Sequence, residues 1–241
     1  PGSTIDLSLL SSFEDLHAGG LGDGYQDKSP QYSELVVADG GTIQLGQLRS
    51  ARGVAISLDG TLDVSTLEEL IDGHLNIHSA VAFSRLSTID GSDLDLHVAG
   101  VTLPVLTTAT NGWLKTNGNA VDLSTLTNIN GRDLYVSGGI QVDLPQITEV
   151  VNTDGDMLWQ TSGVGSVLSL PNLTSIQNGT ELGQDFRFKA LDGGRIQLPQ
   201  IEHIVEPLRG NSNGRSIAFE ARGPGSTIDL SLLSSFEDLH A

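Results

Sequence analysis

The sequence predicts an all-β fold, a β-solenoid in which one short leucine-rich coil recurs about nine times in a unit of 223 residues. Three observations carry that expectation. An apolar pattern returns along the whole chain, turn signals separate its copies, and residues 224–241 repeat residues 1–18 without a substitution. Periods of this kind mark stacked arrays, so the chain length does not translate into a domain count in the usual way.

The apolar pattern is h-x-h-x-x-h-x-x-h, first seen as Ile5, Leu7, Leu10 and Phe13 and last as Ile228, Leu230, Leu233 and Phe236. Its second apolar position falls at residues 7, 45, 64, 83, 103, 123, 144, 170, 198 and 230. The steps between them are 38, 19, 19, 20, 20, 21, 26, 28 and 32 residues, together 223. The h-x-h part alternates with period two, as a strand with one buried face does. A second strand is expected after it, at Ile56/Leu58, Leu75/Ile77, Leu94/Leu96 and Leu134/Val136. Leu35/Val37, Phe186/Phe188 and Ile217/Phe219 take the same role in coils with longer insertions. Asp-Gly at 59–60, 72–73, 90–91 and 192–193 and Asn130-Gly131 supply turns. Pro104, Pro145, Pro171 and Pro199 all stand one residue after the second apolar position. Proline cannot donate to a ladder, so that register marks where strand pairing ends. No segment keeps a 3.6-residue period, and Gly, Asp, Ser and Thr are too frequent for helices.

Two origins produce the exact return after 223 residues: a parent built of near-identical units in tandem, or a deliberately overlapped or permuted chain. The first is the expectation, with residues 1–223 as one unit and 224–241 as the start of the next. The chain begins at Pro1 without an initiator Met, so it reads as an excerpt. Strands about 4.8 Å apart give nine coils a rise of roughly 43 Å.

A net charge of −18 disfavours nucleic acid and anionic membranes, both of which call for a basic footprint. The same charge suits solubility and divalent cations. The chain has no cysteine, hence no disulfide or thiolate chemistry. No run of 18 apolar residues is present, so no membrane-inserted segment is expected.

LPQITEV at 144–150, LPNLTSI at 170–176 and LPQIEHI at 198–204 resemble the leucine-rich coils of receptor L domains and related bacterial surface solenoids, as does 126–136. The resemblance implies a right-handed parallel β-helix with a binding or scaffolding role. The L-domain cysteines are absent. Tandem, acidic, cysteine-free units also resemble bacterial surface fibres and adhesins, which implies an extracellular or cell-surface location.

Once the register is set, outward positions can be ranked. On the first strand they read Asp6, Gln44, Asp63, Ala82, Thr102, Asp122, Asp143, Ser169, Gln197 and Asp229, an acidic-polar stripe. It is a solvated face or, where six to eight oxygens converge, a calcium surface. Thr4, Thr42 and Thr61 stack, but the row then breaks. On the second strand, two outward rows run Ala55, His74, Asp93, Trp113, Asp133 and Asp59, His78, His97, Asn117, Ser137. His78 and His97 lie one coil apart, hence about 5 Å. Asp59, His74, His78, Asp93 and His97 are therefore the candidate metal ligands, a nitrogen and oxygen set that zinc accepts. Trp113 is the candidate ligand-binding residue, for carbohydrate or protein.

Gly-rich loops hold Asp23, Asp27, Asp90, Asp93, Asp95, Asp154 and Asp156, and GGLGDG at 19–24 is close to a calcium-binding GGxGxD repeat with its aspartate one place early. Such aspartates most often make turns. Asn152-Thr153-Asp154 is similar to the NTD motif of polygalacturonases, and Asp185 supplies one further carboxylate. The family's Gly-His-Gly is missing, and only Arg195-Ile196-Gln197 stands where Arg-Ile-Lys is needed. No G-x-S-x-G elbow supports a serine hydrolase. The insertions 14–40, with Tyr25 and Tyr32, and 205–223, with Asn211, Asn213, Arg215 and Arg222, are further binding candidates. The leading expectation is a non-catalytic structural or adhesive unit of a fibre, partnered by identical units head to tail. It requires no cofactor, with calcium or zinc as additions. A module binding a glycan or a cell-surface protein comes second, and a polysaccharide-degrading enzyme third.

Overall fold

The computed structural model describes residues 3–16, 32–153, 155–208, 210 and 213–239. These residues form β-strands and no helix, so none of them builds a helix able to cross a membrane. Strand pairing is parallel throughout. The chain visits three groups of strands in turn, for example Thr42–Gln44, Ser50–Arg52, Val54–Leu58, then Thr61–Leu62, Glu69–Ile71 and His74–Ile77. Each strand pairs with its counterpart one repeat later: Thr4 with Thr42, Thr42 with Thr61, Val167 with Arg195, Arg195 with Thr227. Those spacings are the ones the apolar pattern predicts.

The expectation of two strands per repeat needs correction, because a third is present. Its members include Ser12–Glu14, Ser50–Arg52, Glu69–Ile71, Thr88–Asp90 and Thr108–Thr110, and further along Glu149–Val151, Ser175–Gln177, His203–Glu206 and Ser235–Asp238. Most are three residues long with one inward side chain, the fourth apolar position of the pattern. One inward residue cannot display alternation, so the period-two signal passes over it.

The longest sheet has nine strands, from Ser33–Val37 at one edge to Ile217–Arg222 at the other. Its central inward rank runs Leu35, Ile56, Leu75, Leu94, Leu114, Leu134, Trp159, Phe188 and Phe219. The expected pairs Phe186/Phe188 and Ile217/Phe219 are thus two residues out of register. Phe188 and Phe219, not Phe186 and Ile217, continue the Ile56 rank. A two-residue slip keeps the same side chains inward, so alternation alone does not detect it. Trp159 is fully buried there, edge-on to Phe186 and Phe188.

Two local devices set the corners. After the first strand, the third apolar residue donates its N–H to the carbonyl of the second, as Leu48 to Leu45, Leu126 to Leu123 and Ile201 to Leu198. The next position of this turn holds Pro104, Pro145, Pro171 or Pro199 in four repeats, as a type I or II turn favours. In four others it holds a serine whose N–H is accepted by an aspartate two residues earlier: Asp6 for Ser8, Asp63 for Ser65, Asp122 for Ser124, Asp229 for Ser231. These bonds hold the Asp6, Asp63 and Asp122 carboxyls below the usual carboxylate range. Most of the acidic stripe is therefore turn-capping chemistry, and proline serves the same corner by removing the donor.

The second device is a stacked left-handed corner before the nine-stranded sheet. Gly53, Asp72, Gly91, Asn111 and Gly131 all have positive φ, and each donates its N–H to a carbonyl one repeat later. Gly, Asn and Asp tolerate this region best, which explains their rotation at one corner.

Candidate functional site

The outer face of the nine-stranded sheet gathers the polar and aromatic side chains that the sequence singles out. Its first outward row is Glu34, Ala55, His74, Asp93, Trp113 and Asp133, and the next is Val36, Ser57, Asn76, Asp95, Lys115 and Tyr135. His74 Nδ1 lies 3.6 Å from an Asp93 oxygen, and the Trp113 ring meets the His74 ring edge-on with centroids 5.4 Å apart. Lys115 Nζ sits 3.8 Å above the Trp113 ring and 5.4 Å from the Tyr135 ring, a cation held between two aromatic faces. A shallow concavity next to this cluster is lined by Glu34, Val36, Ala55, Ser57, His74 and Asn76. The Asn76 Oδ1 is buried and has no hydrogen-bond partner among the described residues.

The five candidate metal ligands fall into two groups. His74 and Asp93 belong to the cluster just described. His78 and His97 stack face to face, with centroids 4.3 Å apart and planes 6° from parallel, and His97 Nε2 is 3.3 Å from an Asp95 oxygen. Imidazole lone pairs lie in the ring plane, so parallel rings aim them side by side rather than at one point. Asp59 is exposed, one residue beyond the Leu58–Ile77 pair. Among the described residues, no three His, Asp or Glu side chains converge as a metal would require. The rank spacing brings His78 and His97 together, and ring packing decides how they face.

Beneath Trp113 lies a residue that the sequence reading passes over. Arg132 is buried at 1% exposure and donates to the carbonyls of Ala109, Thr110, Trp113, Ser92 and Ile89. Those carbonyls belong to the two preceding repeats. Burial lowers its guanidinium to about 10, while Asp93, Asp90 and Asp133 favour its charge. Its neighbour Asp133 accepts the N–H of Leu158 at 2.6 Å and the Tyr135 hydroxyl at 3.2 Å. Desolvation outweighs these bonds and pushes the Asp133 carboxyl up to about 6. Burial and the Asp133 charge push Tyr135 up to about 12.

The Asp133 shift has a measurable consequence. An acid whose folded value is raised adds stability that is complete below about 4 and is lost as pH rises through about 6. Asp133→Asn stays neutral and keeps that contribution. The variant's stability relative to the parent should therefore climb between pH 4 and pH 7 by about 1–2 kcal/mol, after a discount for the solvent that reaches the group. Paired thermal melts of the two proteins at each pH measure it, and a flat difference would contradict the assignment.

The insertions differ from expectation in part. Arg215 does not project: its side chain is 1% exposed, paired with the buried Glu206 and bonded to the Pro207 carbonyl. Glu206 also accepts from Asn178 at 2.6 Å, and Asn178 in turn accepts from Asn152 at 2.9 Å. One buried polar line thus crosses three repeats at one corner. Asn152 of the NTD-like motif belongs to it, which leaves its amide occupied inside the fold. The Asp185 carboxylate is engaged by Arg187 and the Ser216 hydroxyl, and its carbonyl accepts the N–H of Met157. Arg222 is exposed, 3.8 Å from Glu220, and the Asn213 carbonyl accepts from Gly183. Burial raises the Tyr32 hydroxyl above its usual range, and the charges of Asp93 and Asp72 add to the rise. Asp23, Asp27, Tyr25, Asn211, Asp154 and the GGLGDG segment lie outside the described residues.

The two ends form the other candidate surface. Residues 4–6 pair with Thr42–Gln44, and their duplicates Thr227–Asp229 pair with Arg195–Gln197. Likewise Ser12–Glu14 pairs with Ser50–Arg52, and Ser235–Asp238 pairs with His203–Glu206. The same apolar set is half-covered at both ends: Ile5 is 55% exposed and Phe236 48%, against 4% for Ile43 and 0% for Ile204. An all-β array of parallel strands with a polar outer face, its end strands paired on one side only among the described residues, is the class that fold and site define. Compared with known protein families, curated proteins and solved structures, the chain matches none.

Proposed function

We propose that this chain is one unit of a long tandem-repeat β-solenoid fibre at the cell surface or outside the cell, with a mechanical or adhesive role and no catalysis. In this reading the three strand groups wind into a right-handed parallel β-helix of about nine coils, and residues 224–239 open the next unit. One observation carries it. The duplicated segment is seen twice, once with its following neighbour Thr42–Gln44 and once with its preceding neighbour Arg195–Gln197. Between them the two copies supply a partner for both edges of one coil. A continuous chain that passes from unit to unit would satisfy both at once and bury the Ile, Leu and Phe set now half-exposed at either end.

The test is a covalent two-unit chain, residues 1–223 followed by 1–241. Small-angle scattering should show its longest dimension greater than that of the single unit by about 43 Å, at unchanged cross-section. Two jointed, independently tumbling bodies would remove the fibre reading. A second reading, a glycan- or protein-binding face repeated once per unit, is favoured by Trp113 and Tyr135 flanking Lys115 on an outer face with Asp93 and Asp133 beside them.

A further inference from the structure

We propose that separate molecules of this chain join end to end by exchange: residues 224–239 of one molecule displace residues 3–16 of the next and take over their contacts. This rests on the solenoid reading above, and it names the partner as a second copy of the same chain.

The contacts to be taken over are visible in the first copy. Thr4, Ile5 and Asp6 pair with Thr42, Ile43 and Gln44, and Ser12, Phe13 and Glu14 pair with Ser50, Ala51 and Arg52. Asp15 Oδ2 accepts both the N–H and the hydroxyl of Ser33, at 3.0 and 2.8 Å. Residues 224–239 carry the same side chains at every one of these positions. The incoming copy therefore sets Glu237 beside Arg52 and Asp238 on Ser33. It arrives already held by its own molecule through Arg195–Gln197 and His203–Glu206.

A swap of identical segments would by itself gain nothing, but here the ends of the nine-stranded sheet break the tie. Ser33–Val37 and Ile217–Arg222 are its two edge strands, each paired on one side only among the described residues. If residues 3–16 stay in place, a molecule stacked below sits one level too low for these edges to meet. If residues 227–238 replace them, Ser33–Val37 comes down onto Ile217–Arg222. The ranks then set Ser33 over Ile217, Leu35 over Phe219 and Val37 over Ala221, and Phe219, 36% exposed in the single molecule, is covered. The exchange thus adds a ladder that neither molecule has alone, and strand addition at open edges is a common way to join chains. The resident first copy competes from the same chain, at an effective concentration on the order of millimolar. Loosening that copy should lower the concentration at which molecules join, and weakening the last copy should prevent joining.

The same two substitutions placed in the two copies therefore act in opposite directions. Leu7→Asp with Leu10→Asp frees the acceptor end, and Leu230→Asp with Leu233→Asp disables the donor. Light scattering on the full chain should find the first variant assembling at a concentration about ten-fold or more below the parent. The second should stay monomeric throughout. A free peptide of residues 1–18 in excess should disperse the assemblies by filling acceptor ends. Circular dichroism and melting of both variants confirm that the interior repeats stay folded. A monomeric first variant, equal shifts in both variants, or assemblies that the peptide leaves intact would overturn the proposal. The covalent two-unit chain reads out separately, so a rod that doubles while single units never join would retire the exchange and leave the fibre reading standing.

Discussion

Arg132→Met should cost about 3–5 kcal/mol of stability, a loss of the size seen when a buried, fully bonded charge is taken away. Methionine fills much of the volume but donates nothing. The carbonyls of Ala109, Thr110, Trp113, Ser92 and Ile89 lose a donor together. The loss is smaller than five whole bonds, because some acceptors keep a ladder partner, as Thr110 keeps the N–H of Gly91. The charge matters as well. Asp90, Asp93 and Asp133 are the carboxylates whose field favours the cation, and without it they repel one another at the same corner. Loss should therefore be greater at pH 8 than at pH 5. Arg132→Lys returns a point charge without the planar fork and should recover less than half. Denaturant unfolding of the three proteins measures this. A loss under 1 kcal/mol would mean that the guanidinium is replaceable by packing alone.

Arg215→Met should cost about 3–4 kcal/mol, since it leaves Glu206 buried with its countercharge gone. Here the expected damage is local. His203–Glu206 carries the pairing of Ser235–Asp238, and the Asn178 amide bonds the same carboxylate. In an array where each repeat contacts only its neighbours, openings stay near the lesion. Amide exchange should quicken in 203–206 and 235–238 and remain slow in 50–58. Adding Glu206→Gln removes the stranded charge and should return about half of the loss, a coupling that a double-mutant cycle reads directly. Faster exchange at 50–58 of equal size would argue for one global unit instead. The variant also bears on assembly, because it loosens the strands that hold the last copy of the duplicated segment.

The sequence by itself determined that the chain is built of β-strands and how far apart its repeats fall. Side chains such as Ile43, Leu45 and Leu48 recur in one local pattern because each repeat sets its inward positions over those of the previous one, so burial writes a repeat into the chain even where insertions lengthen it. The same register brings His78 beside His97 and sets Trp113 between Asp93 and Asp133. Tertiary structure alone decided the rest. The strand at 50–52 and its counterparts offer one inward residue each, too few to alternate. The two-residue slip at Phe188 keeps polarity unchanged and so leaves no trace in the pattern. Arg132 reads as one more surface arginine because its partners are backbone carbonyls, which every residue has. Which of them point inward, 19 to 43 residues earlier in the chain, depends on how the corners are stacked. The duplicated segment belongs to both sides of this division. Its identity is a fact of sequence, but its two different neighbours, Thr42–Gln44 and Arg195–Gln197, come from where the fold places each copy, since an edge strand takes whichever partner stacks against it.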